Sequence, residues 1–156
     1  MTNDRYLFRG FHECDDGSET IYIDRQAITG KWVYGFLVEY THKDTVYING
    51  TSPKTSYIFP MEERSQLKCL QSYIEVIPET VGQWTGLDDK NGKKIFEKDV
   101  VKDSDDDKDY VVSFDEGAFG LLTKSGRHNS FLHNWNVPDF LEVIKTIFDK
   151  EVNDND

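Results

Sequence analysis

What most constrains this chain is the form of its apolar segments. They are short, rich in aromatic and β-branched side chains, and cut off by turn residues. In the first half they are Tyr6-Leu7-Phe8, Ile21-Tyr22-Ile23, Trp32 to Val38, Val46-Tyr47-Ile48, Tyr57-Ile58-Phe59 and Tyr73 to Ile77. Asn49-Gly50 is a strong turn dipeptide, and Pro60 and Pro78 end the runs before them. Aromatic and β-branched residues suit a pleated, half-buried surface, so these runs predict strands.

The second half reads the same way. Val81 to Leu87 leads into Asp88-Asp89-Lys90-Asn91-Gly92, a turn whose residues tolerate positive φ. Ile95-Phe96, Val100-Val101, Tyr110 to Phe114 and Ala118 to Leu122 follow. Strands this short, with turns every ~8–12 residues, predict a small barrel or sandwich. Two segments depart from the pattern. Pro60-Met61-Glu62-Glu63 has proline and carboxylates where a helix begins, which predicts one short helix near Glu62 to Leu70. In 140–148, Phe140, Leu141, Ile144, Ile147 and Phe148 make a helical stripe that Pro138 and Asp139 could start, yet Val143, Ile144, Thr146 and Ile147 favour a strand. The residues alone leave strand and helix open there.

At 156 residues the chain fits one unit, with a subdivision into a β-rich part over 1–78, a barrel part over 79–150 and an acidic tail over 151–156. Its 10 Phe, 8 Tyr and 3 Trp argue for a folded chain in spite of the charge. That charge, −11, comes from 18 Lys and Arg against 29 Asp and Glu. Nucleic-acid affinity rests on cations that neutralise phosphates, so generic DNA or RNA binding is disfavoured. With no basic amphipathic segment and no run near ~18 apolar residues, a membrane partner is not expected either. Two cysteines, Cys14 and Cys69, are no disulfide framework and suit a reducing compartment, hence a cytoplasmic reading.

The chemical constellations are weak. Asp103 to Asp109 places carboxylates at alternate positions like a calcium loop, but Lys108 stands where that loop needs glycine and Phe114 where it needs a bidentate Glu. Asp89-x-Asn91-Gly92 fails likewise, with Lys98 at the twelfth position, and reads as a turn. His12, Cys14, His128 and His133 lack the paired spacing of a zinc site. No phosphate-cradling, nucleophile-elbow, zincin or dinucleotide motif is present. The expectation is no catalytic residues, no metal and no cofactor.

The run VGQWTGLDDKNGKKIFEKDVV, Val81 to Val101, closely resembles the signature of the YopX proteins of phages and prophages. Phe8-Arg9-Gly10 and Gly30-Lys31-Trp32-Val33-Tyr34-Gly35 resemble its opening elements, and Val112 to Phe119 and Glu142 to Asp149 its late strands. The resemblance implies a mainly β protein containing an SH3-like barrel, expected over Val81 to Leu122, with additional N-terminal strands. It also implies self-association, no assigned biochemical activity, and a strand over Glu142 to Phe148. One departure matters: Lys98 stands where the family has glycine, and a turn needing positive φ would strain it by about 1 kcal/mol. The residues singled out as signature or interaction candidates are Trp32, Tyr34, Trp84, Thr85, Gly86, Asn91, Gly92, Phe96 and Asp99.

These readings together predict a phage accessory protein that binds rather than catalyses, in the cytoplasm of a bacterial host. Its partners are expected to be its own copies and a host or phage protein. Two other functions compete: an acidic inhibitor presenting carboxylates in place of phosphates, and an SH3-like nucleic-acid reader using Lys90, Lys93, Lys94 and Lys98.

Overall fold

The computed structural model describes residues 7–60, 73–132 and 137–151. The helix expected near Glu62 to Leu70 lies outside them. The chain divides into two compact units, Met1–Val81 and Gly82–Asp156, and both are built almost wholly from antiparallel strands.

The first unit contains β1 (Phe8–Glu13), β2 (Glu19–Ile23), β3 (Gln26–Thr41), β4 (Lys54–Pro60) and β5 (Ile74–Val76). They lie in the order β5-β4-β3-β1, with β2 also on β3. The 16-residue β3 organises the sheet. Its start pairs with β2, as in Ile21 opposite Ile28; its middle pairs with β1, as in Phe11 opposite Trp32; its end pairs with β4, as in Phe36 opposite Phe59. Alternation sends Val33 to one face, where it packs with Ile58 and Val76 and gathers Phe8, Leu37, Ile74 and Val81 around it. A 3-10 turn, Pro78–Thr80, stands at the end of this core. There the buried Thr80 hydroxyl accepts the Phe11 N–H at 2.8 Å and donates to the Ile77 carbonyl at 2.6 Å.

One expectation fails here. Val46-Tyr47-Ile48, which has strand composition, forms no strand and stands at the tip of the β3–β4 connection. Strand composition needs a neighbour to pair with, and the β3–β4 ladder ends at Thr41 opposite Lys54.

The second unit contains β6 (Gly82–Asp88), β7 (Lys94–Phe96), β8 (Asp99–Asp103), β9 (Asp109–Asp115), β10 (Ala118–Leu122), β11 (His128–Phe131), the one-turn helix α1 (Val137–Phe140) and β12 (Leu141–Thr146). Strands β6 and β7 form a hairpin. The other five form a sheet ordered β11-β10-β9-β8-β12. Its core is Ile95, Val101, Tyr110, Val112, Leu121, Leu132, Leu141 and Val143.

The ambiguous 140–148 segment is therefore mostly strand. The proline-led turn is real but stops after α1, and the β-branched run that follows takes the edge of the sheet beside β8, with a register shift between Val143 and Lys145. The expected SH3-like barrel over Val81 to Leu122 is not what the described strands form. Their five-stranded sheet stays open, and it recruits β11 and β12 from beyond Leu122 as its two edges.

Candidate functional site

The turn of the signature segment in the second unit closes around a buried carboxylate, that of Asp89. Asp89 is 3% exposed at the turn between β6 and β7. Its Oδ1 accepts the N–H groups of Asn91 and Lys93, both at 2.9 Å, and its Oδ2 accepts the N–H of Val143 at 2.9 Å. Its own N–H donates to the Lys93 carbonyl at 2.7 Å, and the N–H of Lys90 reaches the Leu141 carbonyl at 2.9 Å. An aspartate that captures backbone donors two and four residues on builds the turn, and here it also ties that turn to β12. Gly92 takes φ +78 to complete it. The Lys90 ammonium (2.9 Å) and the Asn91 amide (3.2 Å) both reach the Glu142 carboxylate on the surface.

The other signature residues serve the same hairpin. Trp84 stands opposite Phe96, donates its Nε1–H to the Leu87 carbonyl at 3.0 Å, and carries the Lys94 ammonium 3.8 Å above its ring. Thr85 Oγ1 donates to the Ile95 carbonyl at 2.8 Å and accepts the Leu87 N–H at 3.2 Å. Gly86 takes φ +85 beside it. Phe96 is buried, and its N–H donates to Oδ2 of the buried Asp99 at 2.8 Å. The tight turn between Phe96 and Asp99 holds Lys98 at φ +72, its N–H on the Val112 carbonyl at 2.8 Å and its carbonyl taking the Ile147 N–H at 3.0 Å. The glycine of the family pattern therefore answers a real conformational demand. Replacing Lys98 with Gly relieves ~1–2 kcal/mol of left-handed strain and adds an entropy cost of ~0.5–1 kcal/mol, so Lys98→Gly is expected to match or exceed the parent stability by up to about 1.5 kcal/mol. Lys98→Val should lose about 2 kcal/mol, since a β-branched residue resists this region. Urea midpoints decide it; a clear loss in Lys98→Gly rules out strain as the controlling effect.

The acidic loop after β8 is bound up in itself. Asp103 Oδ1 accepts the Asp105 N–H at 2.8 Å and Asp106 Oδ1 the Lys108 N–H at 3.0 Å. Asp107 pairs with Lys102 at 3.0 Å and Asp109 with Lys124 at 3.7 Å. Asp106 Oδ2 accepts the Tyr110 hydroxyl at 2.7 Å. That bond, with burial and the nearby Asp106 charge, pushes the Tyr110 phenol up to about 12, and it holds the Asp106 carboxyl below its ordinary value. A phenol raised in the folded state contributes stability that is complete below its unfolded value of ~10 and lost as pH climbs towards 12. Tyr110→Phe is expected to cost ~1 kcal/mol at pH 7 and to flatten the stability loss between pH 10 and 12. Denaturation midpoints at pH 7 and 11 check this; a variant that loses as much as the parent over that window contradicts it.

Among the described residues, no group of three or more His, Cys, Asp or Glu side chains is arranged to hold a metal ion. His12 Nδ1 lies 2.7 Å from the Glu75 carbonyl, and the His128 ring packs at 4.7 Å on Phe131. Desolvation and a hydrogen bond to Asp16 push the Cys14 thiol up, which disfavours the thiolate that ligation or nucleophilic attack requires. His133 lies outside the described residues.

The first unit presents a surface of a different kind. The face of β3 opposite its core carries Trp32, Tyr34, Phe36, Val38 and Tyr40. Trp32 is half-buried, edge-to-face with Phe11 at 5.3 Å and under the Arg9 guanidinium at 4.8 Å. Tyr34, Phe36, Val38 and Tyr40 are exposed. Next to them on β4 stand Tyr57 and Phe59, and the exposed Tyr73 packs against both, at 6.3 and 5.5 Å. Val38, Tyr40, Tyr57 and Tyr73 line a shallow groove of ≈ 400 Å³. Of the residues singled out from the sequence, only Trp32 and Tyr34 belong to this surface. Residue order does not single out the rest of the aromatic face, because over Trp32 to Val38 the alternate positions Val33 and Leu37 are apolar as well.

A family model described as YopX protein matches residues 20–151. The chain belongs to the YopX family. None of the curated proteins matches it. Membership makes it a phage-associated protein of poorly defined function. In the run that carries the family pattern, Trp84, Thr85, Gly86, Asn91, Gly92, Phe96 and Asp99 lie in a hairpin and its turns, with the buried Asp89 bonding the turn to β12. No helix of the described residues is long and apolar enough to cross a membrane.

Proposed function

We propose that this YopX protein is a phage or prophage accessory protein of the bacterial cytoplasm, non-catalytic, which acts by binding and assembles with copies of itself. The observation that carries the reading is the aromatic face of the first unit. Soluble monomers rarely leave a contiguous apolar patch of this kind in water, and Tyr, Phe and Trp are the residues that interfaces concentrate. Net charge opposes assembly, since each copy carries −11. Exposed charges are screened beyond ~8 Å at physiological salt, so an apolar contact persists there and weakens when salt is withdrawn.

The competing functions draw less support. A nucleic-acid reader needs open cations, whereas Lys90 is on Glu142 and Lys94 covers Trp84. A phosphate mimic needs outward carboxylates, whereas the Asp103 to Asp109 loop spends several of its own on its backbone and lysines. Light scattering at micromolar protein and physiological salt tests the proposal. A multiple of 18.1 kDa is expected, with Phe36→Asp returning the single-chain mass. The parent running as one chain under these conditions would overturn it.

A further inference from the structure

The connection between β3 and β4 ends in an apolar tip that no described residue of its own unit covers. Val46 and Tyr47 are largely exposed and Ile48 wholly so, at 110%. The tip is nonetheless built. The Tyr47 N–H donates to the Thr51 carbonyl at 2.7 Å and the Gly50 N–H to the Tyr47 carbonyl at 2.9 Å. Asn49 Oδ1 accepts both the N–H (3.0 Å) and the hydroxyl (2.6 Å) of Thr51, and Gly50 takes φ +81 to close the turn. A tip fixed in this way presents its side chains without further ordering, which lowers the entropy cost of inserting them into a partner.

The groove of Val38, Tyr40, Tyr57 and Tyr73 lies on the stem of the same hairpin, with Tyr73 contributed from the residue before β5. The tip cannot fold back into it. The ladder runs to Thr41 opposite Lys54, the His42 N–H holds the Pro53 carbonyl at 2.9 Å, and the His42 ring packs on Tyr40 at 4.9 Å. Tip and groove can therefore meet only between molecules. We infer that Val46, Tyr47 and Ile48 of one copy seat in the Val38–Tyr40–Tyr57–Tyr73 groove of a second, and reciprocally, as two hairpins side by side in opposite directions about a two-fold axis.

A single geometry then makes each contact twice, which is how a two-fold interface closes without leaving a free end. At ≈ 400 Å³ the groove is shallow and suits two or three side chains better than a whole small ligand. Charge does not oppose it. The connection between the strands carries Lys43 against Asp44, a locally neutral segment on a chain of −11, with Lys54 at the start of β4 as a cation at its base, while the exposed Glu75 on β5 lies two residues from Tyr73.

This inference rests on the self-association proposed above, and the experiment separates the two. With the parent assembled, Ile48→Asp is expected to weaken assembly by about 100-fold and to yield the single-chain mass, with its thermal unfolding unchanged because the Ile48 side chain is fully exposed. In a Cys14→Ser, Cys69→Ser background, chains with Ile48→Cys mixed with chains with Tyr73→Cys should form a crosslinked pair under diamide, and neither alone should do so efficiently. If Ile48→Asp stays assembled and the mixed crosslink is absent while Phe36→Asp dissociates, the tip-in-groove contact is overturned and the aromatic interface stands. If the parent is one chain throughout, both fall.

Discussion

Asp89→Ala is expected to destabilise the second unit by about 3–5 kcal/mol, a large share of the stability of any unit this size. Hydrogen bonds from neutral donors to a charged acceptor contribute ~1.5–3 kcal/mol each, and removing an acceptor strands its buried donors. Asp89 serves three N–H groups, of Asn91, Lys93 and Val143. The sum is reduced because two of those donors lie in a turn that can relax toward water. The third belongs to β12, at an edge of the sheet, and Val143 is buried there. Asp89→Asn discriminates further. Its one carbonyl oxygen can still serve Asn91 and Lys93, but its amide then presents N–H groups to the Val143 N–H, so an intermediate loss is expected. Urea denaturation followed by circular dichroism measures both, and hydrogen exchange at Val143 should quicken in each. A loss below ~1 kcal/mol for the alanine variant would show that Asp89 does not hold the two segments together.

The second large effect is expected at Gly35, where β3 passes β4. A Cβ added there would lie 1.8 Å from the Phe59 carbonyl oxygen and 2.7 Å from its carbon. Both are backbone atoms of the paired strand and cannot rotate away. Overpacking of side chains costs ~1–3 kcal/mol; a clash with backbone belongs at the upper end, so Gly35→Ala is expected to lose about 3 kcal/mol and to loosen the β3–β4 ladder. Gly50→Ala separates space from conformation. Nothing lies within 4 Å of that position, and only its φ of +81 resists a side chain, so about 1 kcal/mol is expected. Equal effects at the two positions would contradict the steric account. Exchange protection of the β3 amides should fall in Gly35→Ala alone.

Much of this architecture could be read from residue order. Turn chemistry at Asn49-Gly50, Pro60 and Asp88 to Gly92, set between aromatic and β-branched runs, is enough to specify antiparallel strands, because those side chains lose little freedom on a pleated surface and the turns permit nothing longer. The positive φ of Lys98 was also legible, through the glycine that the family pattern places there. So was the proline-led turn ahead of β12, and the β-branched run of Val143 to Thr146 settles as a strand once β8 offers it an edge.

Other features depend on neighbours that sequence order does not name. Val46 to Ile48 has the composition of a strand but no partner to pair with, so it becomes a tip. Among the described residues the second unit's sheet stays open, with β11 and β12 as edges that do not pair with each other, an outcome that the order of strands along the chain does not state. Asp89 reads as an ordinary turn residue until the fold carries Val143, 54 positions away, to its second oxygen. The face of β3 is the clearest case. Trp32 to Val38 alternates between an aromatic set and the set of Val33 and Leu37, both apolar, and local pattern cannot say which set is core. Packing of Val33 against Ile58 and Val76 decides that, and it leaves the opposite, aromatic set in water. Residue order determined the strands and their turns by local conformational preference; which faces are buried and which carboxylate is a keystone were decided by long-range pairing, whose energies no local sequence window contains.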